Sequence, residues 1–193
     1  MRHSLFSRFG APVVLVALGV AACESTAPSV VPVELNLLAS PPPAADIASA
    51  TLWVSRGYLK PGSDSGGGGS VVLFDTPQQF DLLALATGVG TLLGTATVPT
   101  GTYNQLRLVI DSASVTLGGG VTFADGSATH TLFVPSGMQT GVKVGFSGGL
   151  ALSAPTTITV EFDVLDNFVL QGPSSGPKSA AFTPTLKATV TTP

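Results

Sequence analysis

Tyr103-Asn104-Gln105-Leu106-Arg107-Leu108-Val109-Ile110-Asp111 opens a run that continues to Leu117 and decides the fold class. Leu106, Leu108 and Ile110 fall at every second position, and Tyr103, Gln105, Arg107, Val109 and Asp111 interleave with them. A period of two fits a strand with one buried and one wet face; an amphipathic helix would repeat its apolar positions at three and four. The reading is a strand from Tyr103 to Leu117, opened by the turn Pro99-Thr100-Gly101 and closed by Gly118-Gly119-Gly120.

Short segments of the same kind lie on both sides. Upstream, Val33 to Leu38 reads as a first strand, and Ser40-Pro41-Pro42-Pro43 ends it because proline removes ladder donors. Ala50 to Leu59 reads as the next, with Leu52 and Val54 on the face opposite Trp53 and Ser55. Trp53, the only tryptophan, is taken as a packing residue of core or rim rather than a ligand platform. Val71 to Phe74 and Leu92 to Val98 are further strands, and Phe80 to Thr87 passes from strand to helical turn at Asp81-Leu82-Leu83-Ala84-Leu85. Gly66-Gly67-Gly68-Gly69 lacks the Lys-Ser or Lys-Thr pair of a phosphate loop and reads as a hairpin loop.

Downstream, Asp125-Gly126 suits a tight turn joining Val121-Thr122-Phe123 to Thr131-Leu132-Phe133-Val134. Val142, Val144 and Phe146 alternate with Lys143 and Gly145; Ile158, Val160, Phe162 and Val164 alternate with Thr159, Glu161 and Asp163. Both are read as antiparallel strands. Phe182 to Val190 reads as a last strand, placed at an edge by Pro184. The class is all-β, a single antiparallel β-sandwich of immunoglobulin-like or prealbumin-like type. No repeat at a fixed period points to a solenoid or propeller.

The N-terminal segment carries a different signal. Arg2, His3 and Arg8 precede the apolar stretch Ala11 to Ala22, which is too short to span a hydrocarbon core of about 30 Å and reads as a signal peptide. Cys23, the only cysteine, follows Val20-Ala21-Ala22, and small residues directly before a lone cysteine resemble a bacterial lipoprotein lipobox, which implies a thiol carrying diacylglycerol and a palmitate-type lipid. An unpaired thiol exported to an oxidising compartment has few other uses. The expected organisation is a lipoprotein signal peptide at 1–22, a lipidated Cys23 with a Ser/Thr/Ala/Pro tether over 23–32, and the sandwich over 33–193. Glu24, rather than aspartate, follows the cysteine, which favours the outer membrane of a bacterial envelope.

Composition restricts the function. Without Arg2 and Arg8, six basic residues face eleven acidic ones, a net charge of −5. Arg56, Lys60, Arg107, Lys143, Lys178 and Lys187 are dispersed along the chain, so nucleic acid is not expected as a partner. Charged residues are 10% of the chain, against about 25% in ordinary domains. The surface is therefore expected to be neutral and hydroxyl-rich.

Catalytic patterns are sparse. Beyond residue 22 the only histidine is His130, read as a surface strand residue beside the turn, and no Gly-x-Ser-x-Gly elbow occurs. Neither a zinc site nor any cofactor is expected. Glu161 and Asp163 share a strand face about 7 Å apart, which gives a glycosidase pair only in a cleft with opposing walls. Asp111 or Asp166 could join them as calcium ligands, although no EF-hand loop occurs. One binding patch is a candidate: if their strands adjoin, Tyr103, Gln105, Arg107, Lys143, Glu161 and Asp163 form an outward polar surface for a glycan or an envelope protein.

Several segments together resemble a family. Asp81-Leu82-Leu83-Ala84-Leu85, Leu92-Leu93-Gly94, Pro99-Thr100-Gly101-Thr102-Tyr103-Asn104-Gln105-Leu106-Arg107-Leu108 and Val134-Pro135-Ser136-Gly137-Met138-Gln139-Thr140-Gly141-Val142-Lys143 are similar to the prokaryotic lipoprotein domain of unknown function 4382. Pro43-Ala44-Ala45-Asp46, Glu161-Phe162-Asp163 and Phe182-Thr183-Pro184 extend the likeness over roughly 33–191. The glycine-rich stretch after Gly62 and Glu161, where the family more often has Asp, depart from its pattern. The resemblance implies a compact β-sandwich carried on envelope lipoproteins and supplies no activity, cofactor or catalytic residue. The function expected is a lipid-anchored, non-catalytic binding or structural module. Carbohydrate adhesion through Trp53, Tyr58 or Tyr103 is the first alternative, and a carboxylate glycosidase or accessory subunit of an envelope enzyme the second.

Overall fold

The computed structural model describes residues 29–40, 46–62, 69–85, 88, 90–134, 140–173 and 176–193. Cys23, most of the expected tether over 23–32 and most of the glycine-rich stretch lie outside them. The described residues form an all-β sandwich. Its larger sheet is built on β2 (Ile47–Pro61) and β6 (Gly101–Leu117), paired antiparallel along nearly their whole length. β3 (Val71–Phe74) and β4 (Gln78–Asp81) share the free side of β2, while β7 (Thr129–Leu132) and β8 (Val142–Leu152) share that of β6. The second sheet has the order β12 (Leu186–Thr191), β9 (Thr156–Asp163), β1 (Val30–Ser40), β5 (Thr91–Pro99). β10 (Phe168–Gln171) and β11 (Ser179–Phe182) form a small ribbon.

Apolar residues at alternate positions generate the core. Leu106, Leu108 and Ile110 are buried, and across the interior stand Val33, Leu35 and Leu37 from β1 and Ile158, Val160 and Phe162 from β9. Phe162, Phe168 and Phe182 close one end, with ring centroids 5.1 to 6.2 Å apart. The short helix α1 (Leu82–Leu85) begins at the expected transition, where Asp81 Oδ1 accepts from the Leu83 and Ala84 amides.

Several sequence expectations are corrected. β1 begins at Val30, three residues before the expected Val33. Pro32 is tolerated inside it because β9 joins only from Val33, paired with Thr156. β9 is antiparallel to β12 but parallel to β1, which makes the second sheet mixed. Thr131 and Leu132 do not pair with Val121-Thr122-Phe123: β7 pairs with β6, because Phe123 turns into the core and makes only an isolated bridge to Lys178. The turn at Asp125-Gly126 does form, with Gly126 at φ 83° donating to the Phe123 carbonyl.

The expected last strand is two strands broken at Pro184. Buried Asn167, closing the short helix α2 (Val164–Asn167), fixes the break. Its Nδ2 donates to the carbonyls of Asp163 and Thr185 (2.7 and 3.1 Å), and its Oδ1 accepts from the Thr185 amide at 2.6 Å.

Candidate functional site

Two bulges determine which side chains reach the outer face of the larger sheet. Ser55 on β2 and Asp111 on β6 are extra residues in the ladder between Trp53↔Ser112 and Arg56↔Val109, and Ser55 Oγ donates to Asp111 Oδ1 at 2.8 Å. An extra residue shifts the alternation by one. Trp53 therefore faces outward above the bulge, while Arg56, Tyr58 and Lys60 face outward below it. Ladder partners place Tyr58, Arg107 and Lys143 in one row across β2, β6 and β8, with Lys60 opposite Gln105 in the next.

The Tyr58–Arg107 row is held from one point. Tyr58 Oη donates to the Thr140 carbonyl at 2.8 Å, and Arg107 Nη1 donates to the carbonyls of Thr140 and Gly141 at 3.2 and 3.3 Å. Arg107 Nε also donates to Gln105 Oε1 at 3.2 Å. Gly141 is required there: its φ is 72°, and a Cβ would stand 3.0 Å from the Leu108 carbonyl. The guanidinium of Arg56 lies 5.5 Å from the Tyr58 ring centroid, within cation–π range.

A family model described as a domain of unknown function, DUF4382, matches residues 32–177, from β1 through β10. The chain belongs to the DUF4382 family. No curated protein and no solved structure matches it. Both segments that meet at Arg107 and Gly141 lie inside the matched part of the DUF4382 domain.

The DUF4382 fold separates the six patch residues proposed from sequence. Gln105, Arg107 and Lys143 adjoin on the larger sheet, whereas Glu161 and Asp163 stand on β9 in the other sheet. Tyr103 leaves the outer face altogether: Asn104 is an extra residue between the pairs Pro61↔Tyr103 and Lys60↔Gln105, which turns Tyr103 inward to 4% exposure. Its hydroxyl donates to the Pro99 carbonyl at 2.8 Å, and burial raises its pKa. Trp53, expected in the core or its rim, is 42% exposed on the outer face.

Two features of that face were not anticipated. Four of the six cations beyond residue 22 (Arg56, Lys60, Arg107 and Lys143) gather on one half of one sheet, although they are dispersed in sequence. Strand parity carried the signal, since Arg56, Tyr58 and Lys60 are spaced by two. The second feature is Phe133, 83% exposed. Leu132 pairs with Ala113 and is buried, and Phe133, next in the chain and just past the end of β7, turns outward.

The smaller sheet presents the opposite character. Glu34, Glu161 and Asp163 face outward from β1 and β9, with Asp166 beyond them on α2 and Lys187 opposite Glu161 on β12. A depression of about 180 Å³ is lined by Ser40, Glu161, Asp163, Asp166, Thr185 and Lys187. Asp163 Oδ1 is engaged as the cap of α2, accepting from the Leu165 and Asp166 amides at 2.9 and 3.2 Å. Glu161 and Asp163 rise from one strand and do not oppose each other across a cleft. Among the described residues no group of three His, Cys, Asp or Glu side chains is arranged to hold a metal ion.

His130 stands on β7, and its Nε2 lies 2.9 Å from Asp125 Oδ2. Its ring stacks on Phe123 with centroids 4.0 Å apart.

Proposed function

We propose that this DUF4382 chain is a lipid-anchored protein of the bacterial cell envelope, held through Cys23 at the outer membrane, since Glu24 stands where an inner-membrane retention aspartate would, and that its sandwich works without catalysis as a binding or structural module. The observation that carries the anchor is Cys23 itself, a lone thiol directly after Val20-Ala21-Ala22 at the end of an apolar stretch. The outer face of the larger sheet supports the binding role: it carries half-buried Tyr58 among cations, and it exposes Trp53, with Phe133 exposed just past the end of β7. Monomeric surfaces rarely leave such large side chains together without use.

Metabolic palmitate labelling of wild type and Cys23→Ala tests the anchor. Label and membrane fractionation are expected in wild type and lost in the variant; unchanged labelling and fractionation overturn it.

A second reading, glycan adhesion, draws on Trp53 and Phe133, exposed aromatic rings of the kind that stack on sugars. On a glycan array, binding lost in Trp53→Ala supports adhesion, and equal binding by the variant removes it.

A further inference from the structure

The chain enters the sandwich on β1 of the smaller sheet, at the end where the turn after β5 leads into β6 and the cationic half of the larger sheet. Ser29, the first described residue, accepts from the Thr100 amide through its carbonyl, and Thr100 leads into β6. Lys60 lies on the last turn of the ladder at that end, where Pro61 pairs with Tyr103 and the Gly62 amide donates to the Thr102 carbonyl. From Cys23 to Ser29 the backbone can span no more than about 20 Å. A lipid on Cys23 would therefore keep this end of the sandwich within about 20 Å of the headgroups, and charge decides which sheet turns to them.

We propose that the outer face of the larger sheet docks flat on the anionic phospholipid headgroups of the same bilayer that takes the Cys23 lipid. The inference rests on the anchored reading and adds to it an orientation and a ligand chemistry. Charge complementarity selects the face. Arg56, Lys60 and Lys143 are exposed and form no ion pair among the described residues, while Arg107 and Lys143, like charges in direct register, are stabilised together by an anion above them.

The carboxylates of this face, Asp81 and Asp111, stand on its far half and are engaged with the α1 amides and with Ser55. Asp75 lies beside it in the turn between β3 and β4. Glu34, Glu161, Asp163 and Asp166 occupy the opposite sheet, so an anionic surface attracts one side of the domain and repels the other. Trp53, Tyr58 and Phe133 add the amphipathic and apolar side chains that settle at a headgroup boundary beside Lys and Arg. A neutral sugar would take hydrogen bonds from the cations but no charge complementarity, which an anionic headgroup adds.

Trp53, the only tryptophan, lies on this face and reports contact directly. Mature lipidated protein is reconstituted into vesicles of phosphatidylcholine and of equal parts phosphatidylcholine and phosphatidylglycerol, each with and without bromine-labelled acyl chains. The expected result is a blue-shifted, bromine-quenched Trp53 emission in the anionic vesicles only. It reverts in about 1 M salt, where the screening length falls to about 3 Å. The triple variant R56E/K60E/K143E, altered only at exposed positions, is expected to keep its circular dichroism and its flotation with vesicles while losing the shift and the quenching.

The inference is overturned if wild-type Trp53 emission is the same in both vesicle types, or if the triple variant is still quenched. It is equally overturned if a soluble anionic polysaccharide shifts the emission and anionic lipid does not. Flotation with phosphatidylcholine alone scores the anchor separately. A protein that fails to float there has no lipid, and its flotation with anionic vesicles still reports whether the face binds.

Discussion

The two outer faces of this sandwich differ in charge and in what holds them. The larger sheet displays Arg56, Lys60, Arg107 and Lys143 with Trp53, Tyr58 and Phe133; the smaller displays Glu34, Glu161 and Asp163 with Asp166 at its end. A chain with 10% charged residues looks neutral by composition, yet its few charges are unequally divided between the sheets, with Asp81 and Asp111 on the basic one and Lys187 on the acidic one as exceptions. The difference teaches that surface character in a sandwich is a property of faces. It follows from strand parity and pairing, which composition averages away.

The sharpest way to break the contrast is to release the acidic face at its edge. β12 reaches its place through the turn that Asn167 holds, and this side chain is fully buried with three hydrogen bonds under 3.2 Å. Asn167→Ala leaves the Asp163 and Thr185 carbonyls and the Thr185 amide short of partners. Its expected cost is about 3 kcal/mol, a large part of the about 5–15 kcal/mol that holds a typical domain. Urea denaturation measures it, and a midpoint shift equivalent to under about 1 kcal/mol shows that the turn holds without the latch.

The basic face has its own support at Gly141. Alanine there meets both a left-handed backbone and the Leu108 carbonyl, so Gly141→Ala is expected to cost about 1–2 kcal/mol and to loosen the carbonyls that orient Arg107. Thermal denaturation checks the stability, and amide exchange at Thr140 and Gly141 checks the loosening. Retention of wild-type stability would mean that the turn accommodates a Cβ by moving away from β6.

Arg107 and Lys143 sharpen the comparison within one row. Arg107 bonds two carbonyls and Gln105, while the Lys143 side chain is exposed opposite it. Arg107→Ala should cost about 1 kcal/mol, and Lys143→Ala should be neutral or stabilising by a few tenths because it removes a like charge. Equal effects in denaturant titrations would show that the two cations are both merely solvated.

The simple alternation of Leu106, Leu108 and Ile110 made the core side of β6 legible, and the apolar positions of β1, β2 and β9 followed the same rule. Turn residues marked element ends: β1 stops at Ser40, the last residue before the three prolines in sequence, Asp81 precedes α1 and Gly126 sits in its tight turn. Pairing was not legible. Asp125-Gly126 closes a turn without telling that β7 returns to β6, and parallel β1/β9 pairing depends on contacts distant in sequence. The site failed where parity failed: Asn104 sends Tyr103 inward, and Ser55 and Asp111 bring Trp53 and Arg56 to one face. A bulge leaves little trace in composition because a single extra residue of any polar type creates it. Glu161 and Asp163 were placed with Arg107 because alternation identifies a face and cannot identify a sheet.

The smallest effect tests a surface contact at the far end of β7. The hydrogen bond from His130, then those from the Ser127 amide and hydroxyl, hold the Asp125 carboxyl well below the ordinary carboxylate range. A carboxyl lowered in the folded state contributes stability that is complete above its unfolded value of about 3.9 and is lost as pH falls through the folded value. The turn over Phe123 should therefore keep its form through mild acid and loosen only below the range in which free aspartate protonates. His130→Ala removes the largest cause and leaves the Ser127 amide, so the Asp125 titration should move upward while remaining below the ordinary value. Carboxyl-carbon NMR of Asp125 in wild type and variant measures the shift. An unchanged titration would assign the lowering to Ser127 alone, and the stacking of His130 on Phe123 would then be the whole of the histidine's part in the turn.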